Sequence, residues 1–233
     1  MNKKELELHL WKTIVPDIPG HQTNKDLKVP NYYDGLNEFI KEHKIKTEFR
    51  CAGAPWDSAY ATFIANIKPK VIVEVGSYIG YSAIKMAEAC KANNLQDTSI
   101  ICIDPWLDAS LRSDYDAKVF GYPSVFYTFL NNVKTFNHDD IIIPLPMPAL
   151  TGYRYLRDAK IKADLIYIDG SHDYDDVYLD VSRYLTLLNP GGVLFGDDWT
   201  YEGVREATTQ LCSEMGINSP TVINNTAVWY IKK

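Results

Sequence analysis

Cysteine is scarce and shows no pairing pattern: four residues (Cys51, Cys90, Cys102 and Cys212) in a chain of 233, none in a C-x-x-C spacing. That excludes a disulfide-built scaffold, argues against zinc held by thiolates, and fits a reducing compartment, so a cytoplasmic location is expected. No stretch approaches the roughly 18 uncharged apolar residues of a membrane span. The first ten residues carry Lys3, Lys4, Glu5 and Glu7 where a signal peptide has its apolar core. Positive charge is not in excess either. The net charge is −6 with the signs mixed along the chain, and nucleic acid or an anionic membrane would need a basic face. Internal repeats and low-complexity linkers are absent. What is present suits a chain that buries a core, with 46% hydrophobic and 23% charged residues.

From about Lys70 onward, short apolar runs alternate with helical patterns. The runs are 71–75, 99–103, 141–145, 165–168 and 192–195, and helices are expected at 82–91, 175–188 and 203–215. In the second of these helices Val177, Val181, Tyr184, Leu185 and Leu188 recur at helical spacing. Apolar runs without polar alternation are strands buried on both faces, which implies a parallel sheet between two helical layers. Residues 221–223 and 227–231 flank Asn224-Asn225 and form an expected antiparallel hairpin at the sheet edge. The expected fold is therefore α/β and Rossmann-like, a seven-stranded mostly parallel sheet with an antiparallel C-terminal hairpin and helices on both faces. Residues 1–69 mix helical fragments with turns at Ile18-Pro19-Gly20 and Val29-Pro30-Asn31. They are expected to form a helical cap on the substrate side of a domain spanning 70–233, and a surface for a homodimer. The segment 105–124, rich in Asp, Ser and Tyr, is either a lid or a plain surface loop.

Ligands in open α/β sheets bind beyond the carboxyl ends of the strands. The first strand ends in Glu74-Val75-Gly76-Ser77-Tyr78-Ile79-Gly80-Tyr81-Ser82. Gly76 permits a sharp turn and close approach to a ligand, and Gly80 permits close packing of the helix start. Tyr78 replaces the middle glycine of the dinucleotide fingerprint, and no Gly-Lys-Ser/Thr follows, so neither that motif nor a P-loop is present. The second strand ends at Asp104, placed to accept hydrogen bonds from a ribose diol or, alternatively, to cap a helix. Trp106 is placed to cover an adenine or to pack in the core.

The fourth strand delivers Asp169-Gly170-Ser171-His172-Asp173-Tyr174 and the fifth Asp197-Asp198-Trp199. Adjacent strands lie about 5 Å apart, so Asp169, Asp197 and Asp198 are expected to converge on one point. Close carboxylates repel unless a cation lies between them or one keeps its proton. An all-oxygen set suits magnesium. The alternative has Asp198 and Asp173 capping their neighbouring helices with no metal. His172, with an ordinary pKa of about 6.5, is the candidate general base. His9, His21, His43 and His138 have no accompanying chemistry.

The stretch Glu74-x-Gly76-x-Tyr78-x-Gly80-Tyr81-Ser82-Ala83, with Met86-Ala87 beyond, resembles the cofactor motif of catechol O-methyltransferase, a class I S-adenosylmethionine-dependent methyltransferase. The resemblance covers about Val71 to the C-terminus. It implies that Gly76, Tyr78 and Ser82, with Glu74 and Ser77, bind the methionine part of S-adenosyl-L-methionine, Asp104 the ribose, and Trp106 and Met147 the adenine side. The acids match that family's magnesium site. A histidine in place of the usual lysine base, and Asp198 in place of Asn, look more like the macrocin and mycinamicin type of sugar O-methyltransferase. The expectation is a divalent-metal-assisted O-methyltransferase acting on a small molecule or glycan with neighbouring hydroxyls, a deoxyhexose such as rhamnose by likeness. A catechol or other phenol is the alternative acceptor. A nicotinamide-dependent oxidoreductase or epimerase and a non-catalytic cofactor-binding domain rank below.

Overall fold

The computed structural model describes residues 2–14, 31–45, 54–107, 118–119, 122–123, 125–224 and 226–233. The turn at 18–20, His21, Cys51, Asn225 and most of the 105–124 segment lie outside the described residues. Eight helices and nine strands are formed among the described residues. In chain order they are α1 (Lys3–Ile14), α2 (Leu36–Glu42), α3 (Ala54–Ile67), β1 (Val71–Val75), α4 (Tyr81–Ala92), β2 (Ser99–Asp104), β3 (Lys118–Val119), β4 (Tyr122–Pro123) and α5 (Val125–Thr135). There follow β5 (Ile142–Pro146), α6 (Ala149–Asp158), β6 (Ala163–Ile168), α7 (Tyr174–Leu187), β7 (Leu188–Gly196), α8 (Glu202–Glu214), β8 (Thr221–Val222) and β9 (Trp229–Lys232).

Seven strands form one sheet in the order β5-β2-β1-β6-β7-β9-β8. Neighbours from β5 to β7 are parallel, and β9 runs antiparallel to both β7 and β8. The order reverses between β1 and β6, the switch point where such sheets take ligands. Alternate residues of each central strand feed two separate cores. Ile72, Ile100, Cys102, Leu165, Tyr167 and Phe195 face α3, α4 and α5. Val73, Val75, Ile101, Ile103, Ile166, Ile168 and Leu194 face α6, α7 and α8. This double burial is why these runs carry no polar alternation.

The helices before β1 join these layers. Leu6 and Leu10 of α1 are buried with Leu156 of α6, and the Tyr155 hydroxyl donates to the Leu10 carbonyl. Tyr60, Phe63 and Ile64 of α3 are buried in the other core. Two elements differ from expectation. Residues 118–119 and 122–123 pair as a small antiparallel ribbon in a segment without periodicity. The strand expected at 192–195 starts earlier, at Leu188, so the Asn189-Pro190-Gly191-Gly192 stretch lies inside β7 as an irregularity, where the register against β6 shifts between Ala163 and Leu165. Lys233 holds it in place, exchanging backbone hydrogen bonds with Gly191 and Gly192.

Gly196 closes β7 under the indole of Trp229. A Cβ there would stand 2.4 Å from the ring and 2.8 Å from the Ile168 carbonyl oxygen. Gly196→Ala is therefore expected to lower unfolding free energy by about 1–3 kcal/mol through overpacking, read as a drop in the urea midpoint.

Candidate active site

The turn after β1 is shaped from beneath by a buried acid. Glu74 is fully buried on the α4 side of the sheet and accepts hydrogen bonds from the hydroxyls of Ser77 (2.5 Å) and Ser82. Burial pushes its carboxyl above the usual range, and the two hydroxyls work in the opposite direction. In this structure Glu74, Ser82 and the Ser77 hydroxyl thus hold the turn together. The main chain passes through the left-handed region at Gly76 (φ 86°), Tyr78 (φ 44°) and Gly80 (φ 87°). Gly76 has a role beyond approach to a ligand. A Cβ on it would lie 2.0 Å from the Asp169 carbonyl oxygen, so the turn after β1 rests directly on the loop after β6.

Asp104, at the end of β2, is a fastener rather than a helix cap. One carboxylate oxygen accepts from the Ser77 and Tyr78 backbone N–H groups, both at 2.9 Å, and the other from the Trp106 N–H at 2.7 Å. The turn is therefore a nest of amides already holding a carboxylate. Trp106 (φ 47°) is buried between Phe126 and Phe129, and its indole N–H donates to the Tyr78 carbonyl at 2.6 Å. Asp104 pairs with Pro146 in the sheet, which sets half-buried Met147 beside the same strand end.

The acids after β6 and β7 form a second cluster against this turn. Asp169 is half-buried, and its carboxyl is pushed well above the usual range by desolvation, then by the negative charges of Asp197 and Asp198; the Tyr167 hydroxyl, 3.0 Å away, opposes this. Asp198 adopts φ 61° and does not cap α8, whose N-cap is Tyr201. Its carboxylate instead lies 2.7 Å from His172 Nε2, and Tyr201, missed by the sequence reading, stacks on the imidazole at 4.2 Å between ring centres. Asp173 occupies the N-cap of α7 without a side-chain capping bond. Of the two capping alternatives, Asp198 does not cap, and Asp173 takes the cap position without the side-chain bond. The crevice lined by Asp169, Gly170, Ser171, His172, Asp197 and Asp198 encloses ≈ 10 Å³, enough for one water at most.

The expected convergence of three carboxylates on one point is not formed. Among the described residues no three His, Cys, Asp or Glu side chains are arranged to hold a metal ion. The donor chemistry itself suits a hard dication, because the charges of Asp197 and Asp198 both raise the proton affinity of Asp169.

Gly203, another residue missed by the sequence reading, ties the two halves of this cluster. A Cβ there would stand 2.4 Å from the His172 carbonyl oxygen, so α8 starts directly on the histidine loop. Cys90, Cys102 and Cys212 are buried free thiols. No helix among the described residues is long and apolar enough to cross a membrane.

A parallel sheet carrying a glycine turn after its first strand and acids after its fourth and fifth is the frame of a nucleoside-cofactor enzyme. The chain belongs to a methyltransferase family: the sequence model described as a methyltransferase domain matches residues 73–199, more than half of the chain. It is 26% identical over 127 residues to an uncharacterized protein of Acanthamoeba polyphaga mimivirus, covering 54% of this chain and 50% of that one. It is 25% identical over 178 residues to an uncharacterized protein of Sinorhizobium fredii, covering 76% of this chain and 17% of that one. The chain thus spans half or less of the curated relatives it matches. Among solved structures, an O-methyltransferase from Bacillus cereus in complex with SAH superposes with a TM-score of 0.58 at 16% identity, covering 89% of this chain and 94% of that one. A TDP-rhamnose 3'-O-methyltransferase of calicheamicin biosynthesis superposes with a TM-score of 0.57 at 14% identity, covering 98% and 93%. These likenesses show the fold.

The raised carboxyl of Asp169 has a consequence for stability. The folded state binds its proton more tightly than the unfolded state, so this group's contribution is favourable at low pH and is lost as pH rises through the raised value. In metal-free buffer Asp169→Asn is expected to raise the melting temperature at pH 8, by about 2–4 °C for each kcal/mol of repulsion relieved, with the gain shrinking toward pH 4. A thermal melt across that range checks both the sign and the trend.

Proposed function

We propose that this protein is an S-adenosylmethionine-dependent O-methyltransferase that methylates one hydroxyl of a vicinal diol, with His172 as general base and a sugar such as a deoxyhexose as acceptor. The observation that carries the reading is the contact of Gly76 with the Asp169 backbone, which sets the cofactor-type turn against the acid and histidine cluster. S-adenosylmethionine, when bound, supplies an electrophilic methyl group for in-line transfer to the deprotonated oxygen. In this reading the Gly76–Tyr78 turn, closed by the bonds of the Ser77 and Tyr78 amides to Asp104, takes the methionine part of the cofactor, and Asp104 and Met147 take the nucleoside side, which Trp106 supports from the core.

On the acceptor side, Asp198 holds His172 through Nε2. With the Nε2–H donated to Asp198, the lone pair lies on Nδ1, ready to take the hydroxyl proton. Tyr201 stacks on the ring and limits its rotation, which favours a single orientation for proton transfer. The residues that would hold a divalent ion are Asp169, Asp197 and Asp198, and a bound ion supplies Lewis acidity to a weakly acidic sugar hydroxyl. Support for a sugar acceptor comes from His172 and Asp198 in the motif and from the rhamnose O-methyltransferase among the fold neighbours. A catechol, far more acidic, needs less from a base and is the second acceptor to test.

The test is methyl transfer from radiolabelled S-adenosylmethionine to TDP-rhamnose, methyl rhamnoside and catechol in parallel. The rhamnosides are expected to be labelled, and label on catechol alone would assign the phenolic reading. His172→Ala should cost about a hundredfold or more in kcat while S-adenosylhomocysteine affinity by calorimetry stays unchanged. EDTA should abolish turnover without changing that affinity. Full activity of the stripped protein would remove the metal from the account.

A further inference from the structure

The strand that delivers Asp169 carries a second polar group two residues earlier, in the core shared with α3 and α4. Tyr167 is fully buried, stacked on Phe195 at 4.6 Å and 27°. Its hydroxyl donates to Asp169 Oδ2 at 3.0 Å. Tyr60 of α3, 3% exposed, meets the same ring edge-on at 5.4 Å between centres and donates its hydroxyl to the Tyr167 hydroxyl oxygen at 3.1 Å. The direction of this chain is set by chemistry. A phenol has one proton to give: Tyr167 gives its own to Asp169, and its oxygen is then left to accept from Tyr60.

Phenylalanine would fill both positions with nearly the same shape. A buried hydroxyl carries a desolvation cost that is recovered only through its hydrogen bonds. Here both hydroxyls are arranged in series and the series ends on one oxygen of the acid at the candidate site. Both rings are clamped by Phe195, so the hydroxyls have little freedom to point elsewhere. Partners of this kind orient the groups that do the chemistry.

We propose that Tyr167, backed by Tyr60, is a positioning residue that fixes the Asp169 carboxylate in one orientation, making helix α3 a working part of the acceptor site; the functional half of this rests on the O-methyltransferase reading above. The family match begins at residue 73, so Tyr60 lies outside it, on the element that precedes the matched domain. The hydrogen-bonded series itself stands without reference to any substrate.

Two measurements on the full chain separate these halves. In protein labelled with [13Cζ]tyrosine, the resonance lost in Tyr167→Phe is expected to shift in Asp169→Asn, and the resonance lost in Tyr60→Phe to shift in Tyr167→Phe. Resonances that stay in place would overturn the series. On the acceptor that the wild type methylates, Tyr167→Phe is expected to lower kcat about 10- to 100-fold with S-adenosylhomocysteine affinity unchanged. Tyr60→Phe should give a smaller loss, and the double variant should be no worse than Tyr167→Phe, because one residue acts through the other. Wild-type kcat in Tyr167→Phe, or losses that multiply in the double variant, would overturn the positioning role. If Tyr167→Phe does not fold, Tyr60→Phe alone decides by the same readouts. Wild-type protein that methylates none of the acceptors overturns the functional reading, and the tyrosine resonances then decide the series by themselves.

Discussion

The absence of a side chain at position 76 is the constraint on which the site depends. β1 lies between β6 and β2 in the sheet, and its pairing with both continues past the strand end: the Asp169 N–H donates to the Val75 carbonyl, and the Gly76 N–H donates to that of Ile103 in β2. The chain can turn away from β1 only by passing over the Asp169 carbonyl, at a distance where any Cβ would overlap it. One glycine thereby joins the turn after β1 to a loop built from acids and a histidine. Gly203 repeats the device at the far side of that loop, where the start of α8 rests on the His172 backbone. The reacting groups are brought together by main-chain contact, the stiffest connection a fold offers.

Three carboxylates around this junction are handled in three ways, and the differences assign their work. Glu74 is sealed in the core and answered by two serine hydroxyls, which makes it a support for the turn. Asp104 faces main-chain amides on both oxygens, which closes the turn onto the end of β2. Asp169 is crowded by two further acids and answered by one phenol, a less compensated state. Uncompensated charge at the ligand end of a sheet is costly to keep for architecture alone, and this asymmetry sets Asp169 apart from Glu74 and Asp104. The left-handed backbone at Tyr78, Trp106 and Asp198 marks the same junction, since strain of this kind is kept where a particular side-chain direction is needed.

The sheet was legible because its strands carry apolar runs such as Ile100–Ile103 and Leu165–Ile168, buried on both faces and bounded by helical patterns. Gly76, Asp169, Asp197, Asp198 and His172 were legible as a set because strand ends place them at one edge. The direction of each side chain was not. Which of three acids turns to the histidine depends on φ at Asp198, and which group holds Asp104 depends on amides 27 and 26 residues away. Tyr60 and Tyr167 read as ordinary core aromatics, since their hydrogen bond joins residues 107 apart. The bulge in β7 escaped because Asn-Pro-Gly-Gly normally signals a turn, and here the terminal Lys233 pairs with it and keeps it in the strand.

The measurement that bears most directly on this account is a crystal structure of the full chain with S-adenosylhomocysteine bound. The account predicts the ligand on the Gly76–Tyr78 turn, with its sulfur facing a space bounded by His172 and Asp169, open to a hydroxyl at roughly 3–3.5 Å from the position of a transferable methyl. A ligand seated elsewhere, or a sulfur directed away from the histidine and the acids, would contradict it.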